Sequence, residues 1–132
     1  MNKVLLDSDA VIALVKEDDA SHEPAVKLFK KYKEIEIFIA DTTLSESVTT
    51  LGRRVSRETS YLCLDFLRQS SFIIVFIDEK IIESAEQYYR QQTSVKNTFV
   101  DCINMAVAKA YHLDAIFSFD KGYSQNGFKL LK

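Results

Sequence analysis

Four short apolar runs, separated by stretches of helical periodicity, constrain the fold of this chain more than any other feature. Residues 4–6 (VLL), 36–40 (EIFIA), 72–77 (FIIVFI) and 115–119 (AIFSF) are near-continuous hydrophobic segments, not alternating ones. A strand that is apolar toward both faces is buried on both faces, as in a parallel sheet covered by helices on either side. The intervening segments read as helices. Residues 9–16 carry Val11, Leu14 and Val15 at helical spacing, and Pro24 opens a second helix. Residues 44–55 present a Leu44, Val48, Leu51, Val55 stripe, and residues 58–69 bury Leu62, Phe66 and Cys63. Asp78 caps a further helix, and residues 99–112 form another. The expected fold class is α/β: a three-layer α/β/α sandwich around a central parallel sheet of four to five strands. Residues 72–77 are the strongest strand and 128–131 the candidate fifth. Three glycines and one proline oppose a loop-rich all-β fold or disorder. The length suits a single domain spanning 1–132.

Other properties narrow the function classes. The net charge of −2 disfavours nucleic-acid binding through overall charge, though not through a local basic patch. No apolar run reaches 18 residues, so no membrane span is expected, and the opening MNKVLLDSDA lacks the pattern of a secretion signal. Cys63 and Cys102 lie in helical patterns without metal-ligand spacing, which suggests reduced core thiols and a cytoplasmic setting.

Four acids stand at the edges of these elements. Asp7 ends the first strand, Glu46 and Asp101 lie in early helical turns, and Asp120 follows the last long strand. In a parallel α/β fold such edges converge in a crevice beyond the carboxyl ends of the strands. Each acid also has a structural explanation. Asp7 fits an N-cap, Thr43-x-x-Glu46 and Thr98-x-x-Asp101 fit capping boxes, and Asp120 before Lys121-Gly122 fits a turn. Asp101 is the most telling, because its helix is apolar on nearly every side and a buried carboxylate is costly unless paired, capped or coordinated. Together the four point to a hard divalent cation, Mg2+ or Mn2+, which takes oxygen ligands. His22, in a polar loop, and His112, at a helix C-terminus, do not suggest zinc.

The strings LLDSDAVIAL, TLSESVTTL, FVDCINMAVAKAYHLDAIFSFD and the closing DKGY, in this order, resemble PIN-domain ribonucleases of the VapC type, toxins of toxin–antitoxin pairs. The resemblance covers nearly the whole chain. It implies that Asp7, Glu46, Asp101 and Asp120 hold one or two metal ions for in-line hydrolysis of an RNA phosphodiester. Ser8, Asp9 and Ser118 would orient ligands or waters. Arg53, Arg54 and Arg57 are the candidate RNA contacts, with Lys121 a weaker one. A cognate antitoxin on residues 44–69 and a homodimer are also implied. Asn104 departs from the pattern, standing where the family usually shows an apolar residue.

Three other readings share parts of this pattern, one of them a catalytically silent RNA- or protein-binding module on the same fold, against which the four intact acids argue. A phosphoreceiver module has an acidic pair after its first strand, but requires an aspartate after the third and a lysine after the fifth. Residues 7–11 (DSDAV) also fit the opening of a haloacid-dehalogenase-type phosphatase, which needs a later lysine and an acidic pair. The readings separate experimentally. Acetyl phosphate with Mg2+ leaves a stable acyl phosphate only on a phosphoreceiver. Rapid phosphomonoester turnover, abolished equally by Asp7→Asn and Asp9→Asn, marks the phosphatase. Neither outcome is expected.

Overall fold

A computed structural model of the chain describes residues 2–132. Its sheet has four parallel strands, β1 (Lys3–Leu6), β2 (Glu36–Ala40), β3 (Ile73–Val75) and β4 (Ala115–Phe117), in the order β3-β2-β1-β4. Helices α1 (Ser8–Val15) and α2 (His22–Lys31) join β1 to β2. Helices α3 (Asp41–Arg54) and α4 (Arg57–Gln69) join β2 to β3. Helices α5 (Glu79–Arg90) and α6 (Phe99–Ala110) join β3 to β4, and a short α7 (Gly122–Gln125) follows β4.

The period of two along each strand divides the core into two layers. Val4 and Leu6, Ile37 and Ile39, and Ala115 and Phe117 face α1–α4. Leu5, Phe38 and Ala40, and Ile116 face α5 and α6. Right-handed crossovers require this arrangement. The chain steps from β1 outward to β3 with its helices on one face, then returns past β1 to β4 with its helices on the other. The three-layer sandwich expected from the sequence is therefore present.

Several local expectations change. Residues 72–77, the longest apolar run, yield a three-residue strand at the sheet edge, with Phe76 72% exposed. Residues 128–131 supply one parallel bridge, Ile116 to Leu130, and no full strand. On α3 the fully buried positions are Thr43, Ser47 and Leu51; Leu44 and Val48 of the expected stripe are half-buried against the same core, while Val55 is exposed. Hydroxyls can occupy buried positions there because Ser47 Oγ donates to the Thr43 carbonyl and Thr43 Oγ1 donates to Asn104 Oδ1. On α4, Leu62 points outward at 63% exposure and Leu67 is buried in its place. Cys63 and Cys102 are core thiols as expected, and burial pushes the Cys63 thiol up to about 11.

The two leucines should respond differently to truncation. Leu51→Ala is expected to cost about 2–5 kcal/mol of stability through an unfilled cavity. Leu62→Ala should stay within about 0.5 kcal/mol. Urea unfolding measures both, and equal losses would contradict this packing.

Candidate functional site

The strand order reverses between β1 and β4, and ligand crevices in open α/β sheets form at such a switch point. Asp7 stands immediately beyond β1, where its backbone N–H extends the sheet by donating to the Phe117 carbonyl at 3.0 Å. Ser118 stands immediately beyond β4. Both are 4% exposed. Ser118 Oγ lies 2.9 Å from Asp7 Oδ2 and 3.2 Å from Asp9 Oδ2, and accepts from the Asp120 N–H at 3.0 Å. A hydroxyl carries one proton, so it satisfies the two carboxylates only by sharing. Asp9 Oδ2 also accepts from the Phe119 N–H at 2.9 Å, whereas the buried Asp9 Oδ1 has no partner.

A second set of bonds comes from α6 and α7. Asn104, fully buried, donates through Nδ2 to Asp7 Oδ1 at 3.0 Å and to Tyr123 Oη at 3.1 Å. The Thr43 hydroxyl on its Oδ1 fixes the orientation of that amide. Tyr123 Oη in turn lies 3.3 Å from Asp101 Oδ1. The other oxygen of Asp101 accepts from the Thr98 N–H, while Thr98 Oγ1 accepts from the Asp101 N–H, which completes a capping box. Asp120 Oδ1 accepts from the Gly122 N–H at 2.8 Å. A side chain at Gly122 would run into the Asn97 side-chain oxygen and crowd Asp120 Oδ1, so Asn97 would have to give way to it.

The structural and functional readings of the acids thus coincide for two of them. Asp7 caps α1 through the Ser8 N–H and faces the crevice, and Asp101 is both cap and wall. Ser8 contributes this backbone donor. The Thr43–Glu46 capping box does not form: α3 begins at Asp41, with Ala40 in the cap position, so Thr43 already lies in the first turn. Glu46 is half-buried one turn beyond Thr43 and stands outside the hydrogen-bond network. Asp9 is tied into the site more directly than Glu46. Arg53 and Arg54 end α3 and Arg57 starts α4, all exposed. Arg53 shares the Glu46 face, about 10 Å along the helix axis. Lys121 is exposed beside Asp120 and lines a groove with Lys129 and Lys132, two cations the sequence did not single out. Tyr123 also had no role of its own in the sequence reading. Asn104 carried a signal, as a polar residue inside an apolar helix.

Burial first and charge repulsion second set the electrostatics of the centre. Burial, followed by the nearby Asp9 carboxylate, lifts Asp7 from the ordinary 3.8 to about 7. Asp9 is raised by burial as well, and Asp101 adds a smaller push on Asp7. Among the described residues, no three acid, histidine or cysteine side chains close into a ready cage. The donor set nevertheless fits a hard divalent ion. It is all oxygen, it carries repelling carboxylates, and it includes the unpartnered buried Asp9 Oδ1.

A parallel α/β/α sandwich with an acidic site at its switch point defines the class. The chain belongs to the PIN-domain family, whose model matches residues 4–129. No curated protein matches it by sequence. Among solved structures it is similar to Mycobacterium tuberculosis VapC20, a sarcin–ricin loop cleaving toxin, with a TM-score of 0.87, 21% identity and 95% of each chain covered. It is also similar to VapBC2 from Rickettsia felis bound to a promoter DNA fragment, with a TM-score of 0.68, 15% identity and 98% and 97% of the two chains covered. DNA-bound VapBC from Salmonella typhimurium matches at 0.67 and 16%, over 98% and 97% of the chains. At these identities the likeness is one of fold.

The raised Asp7 predicts a pH dependence. Between the ordinary 3.8 and about 7, the folded protein keeps a proton that the unfolded chain has released. Metal-free stability should therefore fall as pH rises through that window and level off above it. Asp7→Asn should flatten the fall. Thermal melts in EDTA from pH 5 to 8 test this, and a wild-type melting temperature that climbs with pH would contradict it.

Proposed function

We propose that this PIN-domain protein is a Mg2+- or Mn2+-dependent endoribonuclease, the toxin of a type II toxin–antitoxin pair. The observation that carries the reading is Asp7. It is buried at the switch point, held on both oxygens by Ser118 and Asn104, and crowded by Asp9 and Asp101, so its ionised form calls for a cation. Asp7, Asp101 and Asp120 would hold the ion, with Glu46 completing the set from α3. Asp9 and Ser118 would keep Asp7 in place. A bound divalent ion supplies positive charge against the phosphoryl oxygens and makes the attacking water more acidic. Water oxygen then bonds to phosphorus in line with the departing ribose oxygen, which takes up a proton as its bond to phosphorus breaks. The protein supplies no covalent nucleophile.

Lys121 is exposed next to Asp120, and Arg53 lies two turns beyond Glu46 on α3. Lys121, Lys129 and Lys132 would guide the RNA backbone past Asp120, and Arg53, Arg54 and Arg57 past Glu46. The partner reading draws on the VapBC complexes similar to this chain, and on exposed Val55, Tyr61, Leu62 and Leu64 along α3 and α4. An antitoxin helix or a second copy of the chain would cover such a surface. Among the described residues no helix is long and apolar enough to cross a membrane, and action on RNA would place the protein in the cytoplasm.

RNA cleavage by wild-type protein beside Asp7→Asn and Asp101→Asn tests the proposal. Cleavage is expected with Mg2+ or Mn2+ and none with EDTA. Each variant should lose about 100-fold or more, above the loss typical of groups that only support a ligand. Undiminished cleavage by either folded variant would defeat the assignment.

A further inference from the structure

We propose that Tyr123 and Asn104 are positioning residues that hold Asp7 and Asp101 at the spacing needed to share one divalent ion; this rests on the metal-site reading above. The two acids come from separate elements, the end of β1 and the first turn of α6. Between them runs one chain of neutral groups, from Asp7 Oδ1 to Asn104 Nδ2 at 3.0 Å, to Tyr123 Oη at 3.1 Å, to Asp101 Oδ1 at 3.3 Å. Asn104 is 0% exposed and Tyr123 1%, so water cannot substitute for either.

Donor arithmetic gives the chain a direction. Both amide protons of Asn104 are committed, one to Asp7 and one to the phenol oxygen. The single phenol proton is thereby left for Asp101. Each acid is held on one oxygen by this bridge and by other groups besides: Asp7 by Ser118 on Oδ2, Asp101 by the Thr98 N–H on Oδ2. A neutral bridge resists closure of the two carboxylates onto each other and limits their swing apart. The polar residue inside the apolar α6 and the tyrosine after the Asp120 turn thus explain each other, since either alone would leave a buried polar group unsatisfied.

Groups that orient metal ligands typically contribute 10–100-fold to metal affinity. Mn2+ binding to metal-free full-length protein, followed by electron paramagnetic resonance of the free ion, tests the assignment without any activity readout. Tyr123→Phe keeps the ring in the core and removes the hydroxyl. Its Mn2+ dissociation constant should rise about tenfold or more. In an Asp101→Asn background the same change should lose part of its effect, and in an Asp120→Asn background it should keep all of it, because the hydroxyl belongs to the Asp7–Asp101 bridge and does not touch Asp120. Asn104→Leu, which breaks the bridge at its other end, should weaken Mn2+ binding in the same way. Wild-type affinity in Tyr123→Phe, or equal losses in both backgrounds, would overturn the positioning role while leaving the metal site standing. A wild-type protein that takes up no Mn2+ would overturn both.

Discussion

Everything in the crevice turns on one unfavourable fact: Asp7 carries a carboxylate into the centre of the molecule. A buried carboxylate beside another is driven toward its protonated form, and Asp7 has Asp9 close by and Asp101 beyond it. The surrounding structure answers with donors. The Ser8 and Asn104 groups meet one oxygen and Ser118 the other. These neutral donors orient the acid and ease its isolation, yet they add no positive charge. The shortfall is one of charge rather than of hydrogen bonds, which is why a cation suits the site better than another polar side chain.

The fold creates this situation through topology. Because β4 lies beside β1 and not beyond β3, the residues leaving both strands face each other across the switch point. The β1 exit delivers Asp7 and Asp9, and the β4 exit delivers Ser118 and Asp120. The returning α5–α6 crossover then lays the start of α6 across the opening with Asp101 in its first turn. Three sequence-distant segments meet with little help from loops, since each acid lies within three residues of a strand end or helix start. Rigid placement of this kind holds a constellation more closely than loops do.

The layering was legible in the sequence because burial on both faces leaves continuous apolar runs. The acids were legible because strand ends are. Three failures have physical causes. Residues 72–77 read as the strongest strand by hydrophobicity alone, but strand length is set by pairing, and an edge strand beside β2 finds partners for only three residues. The buried face of α3 is wider than its apolar stripe because Thr43 and Ser47 satisfy their hydroxyls within the fold beside Leu44, Val48 and Leu51, so polarity at those positions did not mean exposure. Tyr123 stood in the DKGY string without a role of its own, because α7 is a single turn of four residues, too short to show periodicity. Glu46 shows the converse: its apparent capping box had the right letters, and the helix simply started two residues earlier than Thr43.

Helix α6 is buried without interruption from Cys102 to Ala108. A helical stretch with no wet face has almost no neutral substitutions, because every side chain on it is packed. Just before it, residues 93–96 are all exposed, with Val95 98% so, and Lys121 is open nearby, where Gly122 packs against Asn97. Substitutions at the approaches of the crevice therefore cost far less stability than substitutions in its floor. The access to such a scaffold can be re-tailored without disturbing the packing beneath it.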